Sequence, residues 1–399
     1  MATNGAFEDI RPYRDPEVPE VIHRVVKDEA FRNLMKFVYP DRDTDEVLRE
    51  VAKSKTIRDF QIGVAYPAMR KIINQTIDEL TVSGLENLDP EKSYLFISNH
   101  RDIILDSAIM NILLHEAGLE TFETAIGSNL LEEEIVRDLT KLNKNFTVKR
   151  NTGAREFYEN SMRLSAYIHK NITEGASSVW IAQREGRTKN GIDKTQPGLL
   201  KMLSINCKKS LSECFEELNL TPVAISYEYD PCDVLKIPEL KALAKEEKYE
   251  KKPGEDYQSI LTGITGHKGR VHLNIGETLS DELSILKSIS APNDKLKKLG
   301  ELIDEKILAQ YRLWPTNYIA LDILEGNSGE SPHYTKKDRQ KFEKRMERSL
   351  SESNLVDEEA KYLLLQMYAN PAKGRVASEV TSSNRGQKNI SGSIRTKTN

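Results

Sequence analysis

The chain has 399 residues, 38% hydrophobic and 30% charged, with a formal net charge of −4 and a mean hydropathy of −0.55. That length suits one large domain with additions, or two domains, and the near-neutral balance excludes the strongly basic footprint of a nucleic-acid binder. Cys207, Cys214 and Cys232 form no CxxC pair, so neither a zinc site nor a disulfide framework is expected, and no apolar run approaches the ~18–20 residues that span a bilayer.

The first residues lack the basic start and apolar core of a signal peptide, so a cytoplasmic location is expected, with any membrane contact made from the surface. From Pro19 to Tyr39 the apolar residues fall at helical spacing (Val21, Ile22, Val25, Val26, Phe31, Met35, Val38), and Pro40 ends the run. Thr44 or Asp45 caps a short helix carrying Val47, Leu48 and Val51. Residues 56–82 predict a longer helix that Pro67 interrupts. Residues 1–82 therefore read as a helical module.

From residue 83 strand and helix signals alternate. Strands are predicted at 94–98, 122–126, 146–148, 179–182, 222–227 and 271–275. Helices are predicted at 105–117, 129–141, 154–172, 197–218, 234–252 and 297–312. Alternation of this kind predicts an α/β layer fold with a mainly parallel sheet flanked by helices, over residues 83–330. Residues 331–370 carry two charged helices, at 335–350 and 355–369. After Pro371 the apolar content collapses, so 371–399 is expected to be a disordered basic tail.

Three polar stretches follow predicted strands. The first is Ser98-Asn99-His100-Arg101-Asp102, running on to Asp106. A neutral imidazole is a natural general base near neutral pH, and a nearby carboxylate fixes its tautomer and stabilises the imidazolium. No nucleophile elbow surrounds Ser98 or Ser107, which suits activation of a substrate hydroxyl. The His-Arg-Asp triplet is not a kinase loop: position 107 is Ser where Asn is required, and no Asp-Phe-Gly occurs. The second stretch is Lys144 to Arg150, whose Lys149 and Arg150 follow a strand. The third, Arg184-Glu185-Gly186-Arg187-Thr188-Lys189-Asn190-Gly191, offers cations for a phosphate and glycines that let backbone N–H groups approach an anion. Two cationic strand ends beside the His100 strand end point to a phosphate-bearing substrate. The stretch Pro222 to Glu228 reads as a core strand whose Pro or whose end walls the site.

In this order the four stretches resemble the blocks of the glycerolipid acyltransferases, the glycerol-3-phosphate and 1-acyl-glycerol-3-phosphate acyltransferases with an H-x4-D motif. The resemblance covers roughly residues 84–280. It implies a glycerol-3-phosphate acyltransferase-like fold and transfer of a fatty acyl group from a thioester, on acyl-CoA or acyl-carrier protein, to the acceptor's hydroxyl in phospholipid synthesis. The implied catalytic residues are His100 as base and Asp106 as its partner. The implied substrate-binding residues are Arg101, Lys149, Arg150, Gly186, Arg187, Lys189 and Gly191. The implied partners are a glycerol phosphate or lysophospholipid acceptor, the thioester donor and the inner face of a membrane, with no nucleic acid, no cofactor and no metal. Two departures stand out. Five residues separate His100 from Asp106, where the family has four, and on a helix one extra residue turns a side chain by ~100°. Either the turn absorbs it or Asp102 is the working carboxylate; Asp106 is preferred because it begins the apolar helix. One residue separates Glu185 from Arg187, where the family usually has two. The competing class is a non-catalytic lipid- or membrane-binding relative, and it gains if no carboxylate reaches His100. A remoter one is a phosphate-ester hydrolase.

Overall fold

The computed structural model describes residues 5, 7–150, 153–327 and 331–391, with side chains described up to residue 377. Asp28 and Asp43 each accept backbone N–H bonds as N-caps, and so divide the N-terminal region into α1 (Val18–Val25), α2 (Glu29–Val38) and α3 (Thr44–Val51). After α4 (Ile57–Phe60) the chain runs through a π-helical turn, Gln61–Ala65, into α5 (Tyr66–Thr76). Pro67 lies in the first turn of α5, where its missing N–H costs little. Then follow β1 (Ile77–Ser83), β2 (Leu95–Ser98), α6 (Leu105–Glu116), β3 (Glu123–Gly127), α7 (Glu134–Leu142), β4 (Asn145–Val148), α8 (Ala154–Thr173) and β5 (Val179–Ala182). After these come α9 (Pro197–Ser204), α10 (Leu211–Glu217), β6 (Leu220–Tyr227), α11 (Asp233–Ala244), α12 (Glu255–Thr265) and β7 (Gly269–Ile275). The chain closes with α13 (Pro292–Gln310), α14 (Pro315–Glu325), α15 (Lys336–Glu352) and α16 (Glu358–Ser391).

Leu95-Phe96-Ile97 and Val179-Trp180-Ile181 are unbroken apolar runs, the composition that strands covered on both faces require. They pair in parallel at the heart of a seven-stranded sheet of order β1-β7-β6-β2-β5-β3-β4. All pairs are parallel except β6 with β7. Alternation along β2 sends Leu95 and Ile97 into one core, with Leu164, Ile168, Leu200 and Ile303 of α8, α9 and α13. Phe96 enters the other, with Ile72, Ile109 and Met110 of α5 and α6. A third core joins α11, α14, α15 and α16. A fourth joins α1–α5 and reaches Leu142 of α7.

Several sequence expectations change. Residues 77–83 are strand, not the end of a helix, and β1 pairs in parallel with β7 at the sheet's edge. The boundary drawn after residue 82 therefore cuts off a strand of the sheet. The single helices expected at 19–39 and 197–218 are each two. Ser210 caps the second half of the latter, bonding Glu213 reciprocally. α12 was read as part of no helix. α16 continues through Pro371, where order was expected to end. Ala369 and Ala372 are buried on either side of that proline, and Arg375 donates to the carbonyls of Leu308 and Tyr311 at 2.8 Å each. Residues 392–399 of the expected tail lie outside the described residues. Among the described residues no helix is long and apolar enough to cross a membrane.

Glu123 at the start of β3 accepts from Tyr167 Oη at 2.5 Å and Asn171 Nδ2 at 2.9 Å. Burial nonetheless pushes its carboxyl up to about 7. Below its ordinary value of 4.5 this group is protonated both folded and unfolded. Above that, the unfolded chain loses the proton first, so stability falls as pH climbs through about 7. Glu123→Gln is expected to flatten that part of the profile. A thermal-melting series from acid to neutral pH, run on both proteins, checks it.

Candidate functional site

Because β2, β3, β4, β5 and β6 are mutually parallel, their carboxyl ends lie along one edge of the sheet, where open α/β sheets collect ligands. Asn99, the first residue past β2, fixes the exit. Its amide donates to Ile225 O at 2.9 Å and accepts from Ile225 N at 2.8 Å, locking the end of β2 onto β6. His100 follows.

His100 Nδ1 lies 2.8 Å from Asp106 Oδ2. That same oxygen accepts from Arg101 N at 2.7 Å and Asp102 N at 3.1 Å. Asp106 Oδ1 accepts from Tyr227 Oη at 2.8 Å. With a carboxylate as its partner, Nδ1 must carry the proton, which leaves Nε2 as the acceptor. Burial, with Asp106 beside it, pushes the Tyr227 phenol well above its ordinary value, so it stays a donor. Asp106 is 2% exposed and is the second residue of α6. The extra residue between His and Asp therefore falls in the loop before the helix, and no rotation along α6 is needed. Asp102 takes a different part: its Oδ1 accepts from Ile104 N at 2.9 Å and Leu105 N at 2.8 Å, holding the turn that leads into α6. Its carboxyl is raised by burial and then by the neighbouring Asp106.

His100 lines a cavity of about 1530 Å³. Trp180 of β5 stands edge-on to the imidazole at a ring distance of 5.9 Å and lines the same cavity. The cavity lining includes Val64, Ala68, Met69, Ile104 and Ala108, in and beside α5 and α6. It also includes Phe157, Leu164, Leu199 and Met202 of α8 and α9.

The expected binding residues divide. Lys149, Arg150, Gly186, Arg187 and Lys189 all line the cavity. Lys149 pairs with Asp9 at 2.6 Å, Arg150 with Glu185, and Lys189 with Glu239 at 2.9 Å. Burial lowers the Lys189 ammonium from its ordinary value, against the opposing pull of Glu239. The Arg187 guanidinium keeps a buried Nη1 without a protein partner. Arg101 is not among the cavity residues. Its guanidinium turns the other way, to Asp193 Oδ2 at 2.5 Å and over the Tyr311 ring. Gly191 also leaves the cavity: at φ +77° it packs against α16, and a Cβ there would sit 2.2 Å from Met367 O.

The sequence places Trp180 only in a strand and Tyr227 only at a strand end that walls the site; it does not announce the bond from Tyr227 to Asp106 or the lock of Asn99 onto Ile225. A tyrosine closing a buried strand was the available signal for the Tyr227 bond. Among the described residues no group of three or more potential metal ligands occurs.

Residues 79–226 match the family model described as Acyltransferase. No curated protein matches. Among solved structures, the 1-acyl-sn-glycerophosphate (LPA) acyltransferase PlsC from Thermotoga maritima is similar over 74% of this chain and 96% of its own, at 12% identity and a TM-score of 0.36.

Proposed function

We propose that this chain esterifies the hydroxyl of glycerol-3-phosphate or 1-acyl-glycerol-3-phosphate, using a fatty acyl thioester of CoA or carrier protein, at the cytoplasmic surface of a membrane. The observation that carries the reading is the chain Tyr227–Asp106–His100, which ends at an imidazole on the wall of a large, mainly apolar cavity. His100 Nε2 takes the hydroxyl proton as the oxygen attacks the thioester carbonyl. Asp106 stabilises the imidazolium that forms. Collapse of the tetrahedral adduct breaks the C–S bond, and the departing thiolate takes the proton from His100. The apolar lining suits the acyl chain.

Arg150 Nε and Arg187 Nη1 are both buried donors without a protein partner on this cavity. Arg150 already pairs with Glu185, so Arg187 is the first candidate for the acceptor's phosphate, with Lys149, Arg150 and Lys189 around it. Arg187→Ala is expected to raise the acceptor KM by ~10–100-fold, the worth of a charge-assisted hydrogen bond. The donor KM is expected to stay unchanged. Steady-state kinetics with each substrate varied in turn measures this.

The competing reading of a non-catalytic lipid-binding relative drew on the wider His–Asp spacing, and the 2.8 Å contact removes that ground. The test is a matrix of two donors against two acceptors. Acylated product in at least one combination supports the reading; none in any combination overturns it.

A further inference from the structure

The segment after β5 that carries Arg187 and Lys189 is fastened from two sides. On the domain side, Thr188 N donates to His100 O at 2.8 Å and Thr188 Oγ1 to Asp193 Oδ1 at 2.6 Å. Asp193 Oδ2 in turn holds Arg101. On the other side stands α16, more than a hundred residues beyond the acyltransferase match at 79–226. Asn370 Nδ2 donates to Asn190 O at 2.7 Å, and Gly191 lies flat against the Met367 carbonyl. Before these anchors Glu185 and Gly186 are exposed; Glu185 is tied to Gln196 and Arg150, and Gly186, at φ +70°, has the Lys189 ammonium 3.8 Å from where a Cβ would stand.

α16 is itself firmly seated. Tyr368 Oη donates to Asp233 Oδ2 at 2.8 Å, and Asn317 Nδ2 donates to Tyr368 O at 2.8 Å. Both contacts are buried. Arg375, one turn beyond Asn370, holds the carbonyl of Tyr311, whose ring lies under Arg101. The helix therefore touches both routes into the loop, directly through Asn190 and Gly191 and indirectly through Tyr311, Arg101 and Asp193.

We propose that α16 is a clamp on the phosphate-binding loop, and that Asn370 is a positioning residue which sets where Arg187 and Lys189 meet the acceptor. Asn370 touches no substrate; it acts through the Asn190 carbonyl three residues from Arg187. The proposal rests on the acceptor-phosphate reading above for its consequence, and on the contacts alone for its geometry.

Two variants separate the clamp from simple scaffolding. Asn370→Ala removes the donor, and Asn370→Asp sets a carboxylate oxygen against the Asn190 carbonyl. The acceptor KM is expected to rise about tenfold in the first and further in the second. The acyl-donor KM and the melting temperature are expected to stay close to wild type. Hydrogen exchange over residues 184–194 is expected to quicken in both, while exchange in α13 and α14 stays slow. An unchanged acceptor KM with unchanged loop exchange overturns the clamp. So does a fall of kcat and melting temperature together with a rise in both KM values, which marks a structural residue only. If the wild-type chain acylates no phosphorylated acceptor, the proposed reaction fails, and the exchange measurement still decides the clamp.

Discussion

His100→Ala is expected to lower acyl transfer by ~10²–10⁴-fold, the usual worth of a positioned general base, with little loss of stability. The reason lies in how the imidazole is held. Its Nδ1 donates to Asp106, its ring meets Trp180 edge-on, and it lines the cavity. Removing it leaves Asp106 Oδ2 still accepting from Arg101 N and Asp102 N. No buried donor is orphaned, so the fold is expected to stand. Circular-dichroism melts alongside the transfer assay separate lost chemistry from lost fold. Activity within a factor of a few of wild type would remove His100 from the mechanism.

Asp106 is expected to show two different failures according to the replacement. Asp106→Asn keeps an oxygen where Oδ2 stands, facing the three N–H donors, provided that its NH2 turns to Tyr227 Oη, which can accept as well as donate. The fold is then retained, but the negative charge that balances the imidazolium is gone. A fall in kcat of ~10²–10⁴-fold is expected on the scale of acid–base catalysis, with the acceptor KM little moved. Asp106→Ala instead strands the backbone donors of Arg101 and Asp102 in a buried turn, at about 1–3 kcal/mol each. It is expected to lose several kcal/mol of stability as well as activity. Comparison of kcat and urea midpoint for the two variants tells charge from scaffold.

The sheet and the His100–Asp106 contact are legible in the sequence because their signals are local. Val179–Ala182 is an apolar run bounded by polar residues, and it is a strand with those bounds. Asn99-His100 follows such a run directly. What was not legible depends on partners far along the chain. Ile77 and Leu80 continue the spacing of Ile73, so 77–83 read as helix; β7, some 190 residues on, recruits them as a strand. Arg101 reads as a substrate ligand from its place beside His100, and nothing nearby announces Asp193, 92 residues away. Gly191 reads as part of an anion-binding loop, yet the backbone it must approach is that of Met367. In each case tertiary contact decides between local alternatives that short-range propensity leaves open.

The most direct measurement of the central claim incubates the purified chain with an acyl-CoA and each phosphorylated acceptor, and follows free thiol and acylated product together. Equal molar amounts of CoA thiol and ester, both dependent on the acceptor and both lost in His100→Ala, are the result this account predicts. Thiol release without ester, or ester formation undiminished in His100→Ala, would contradict it.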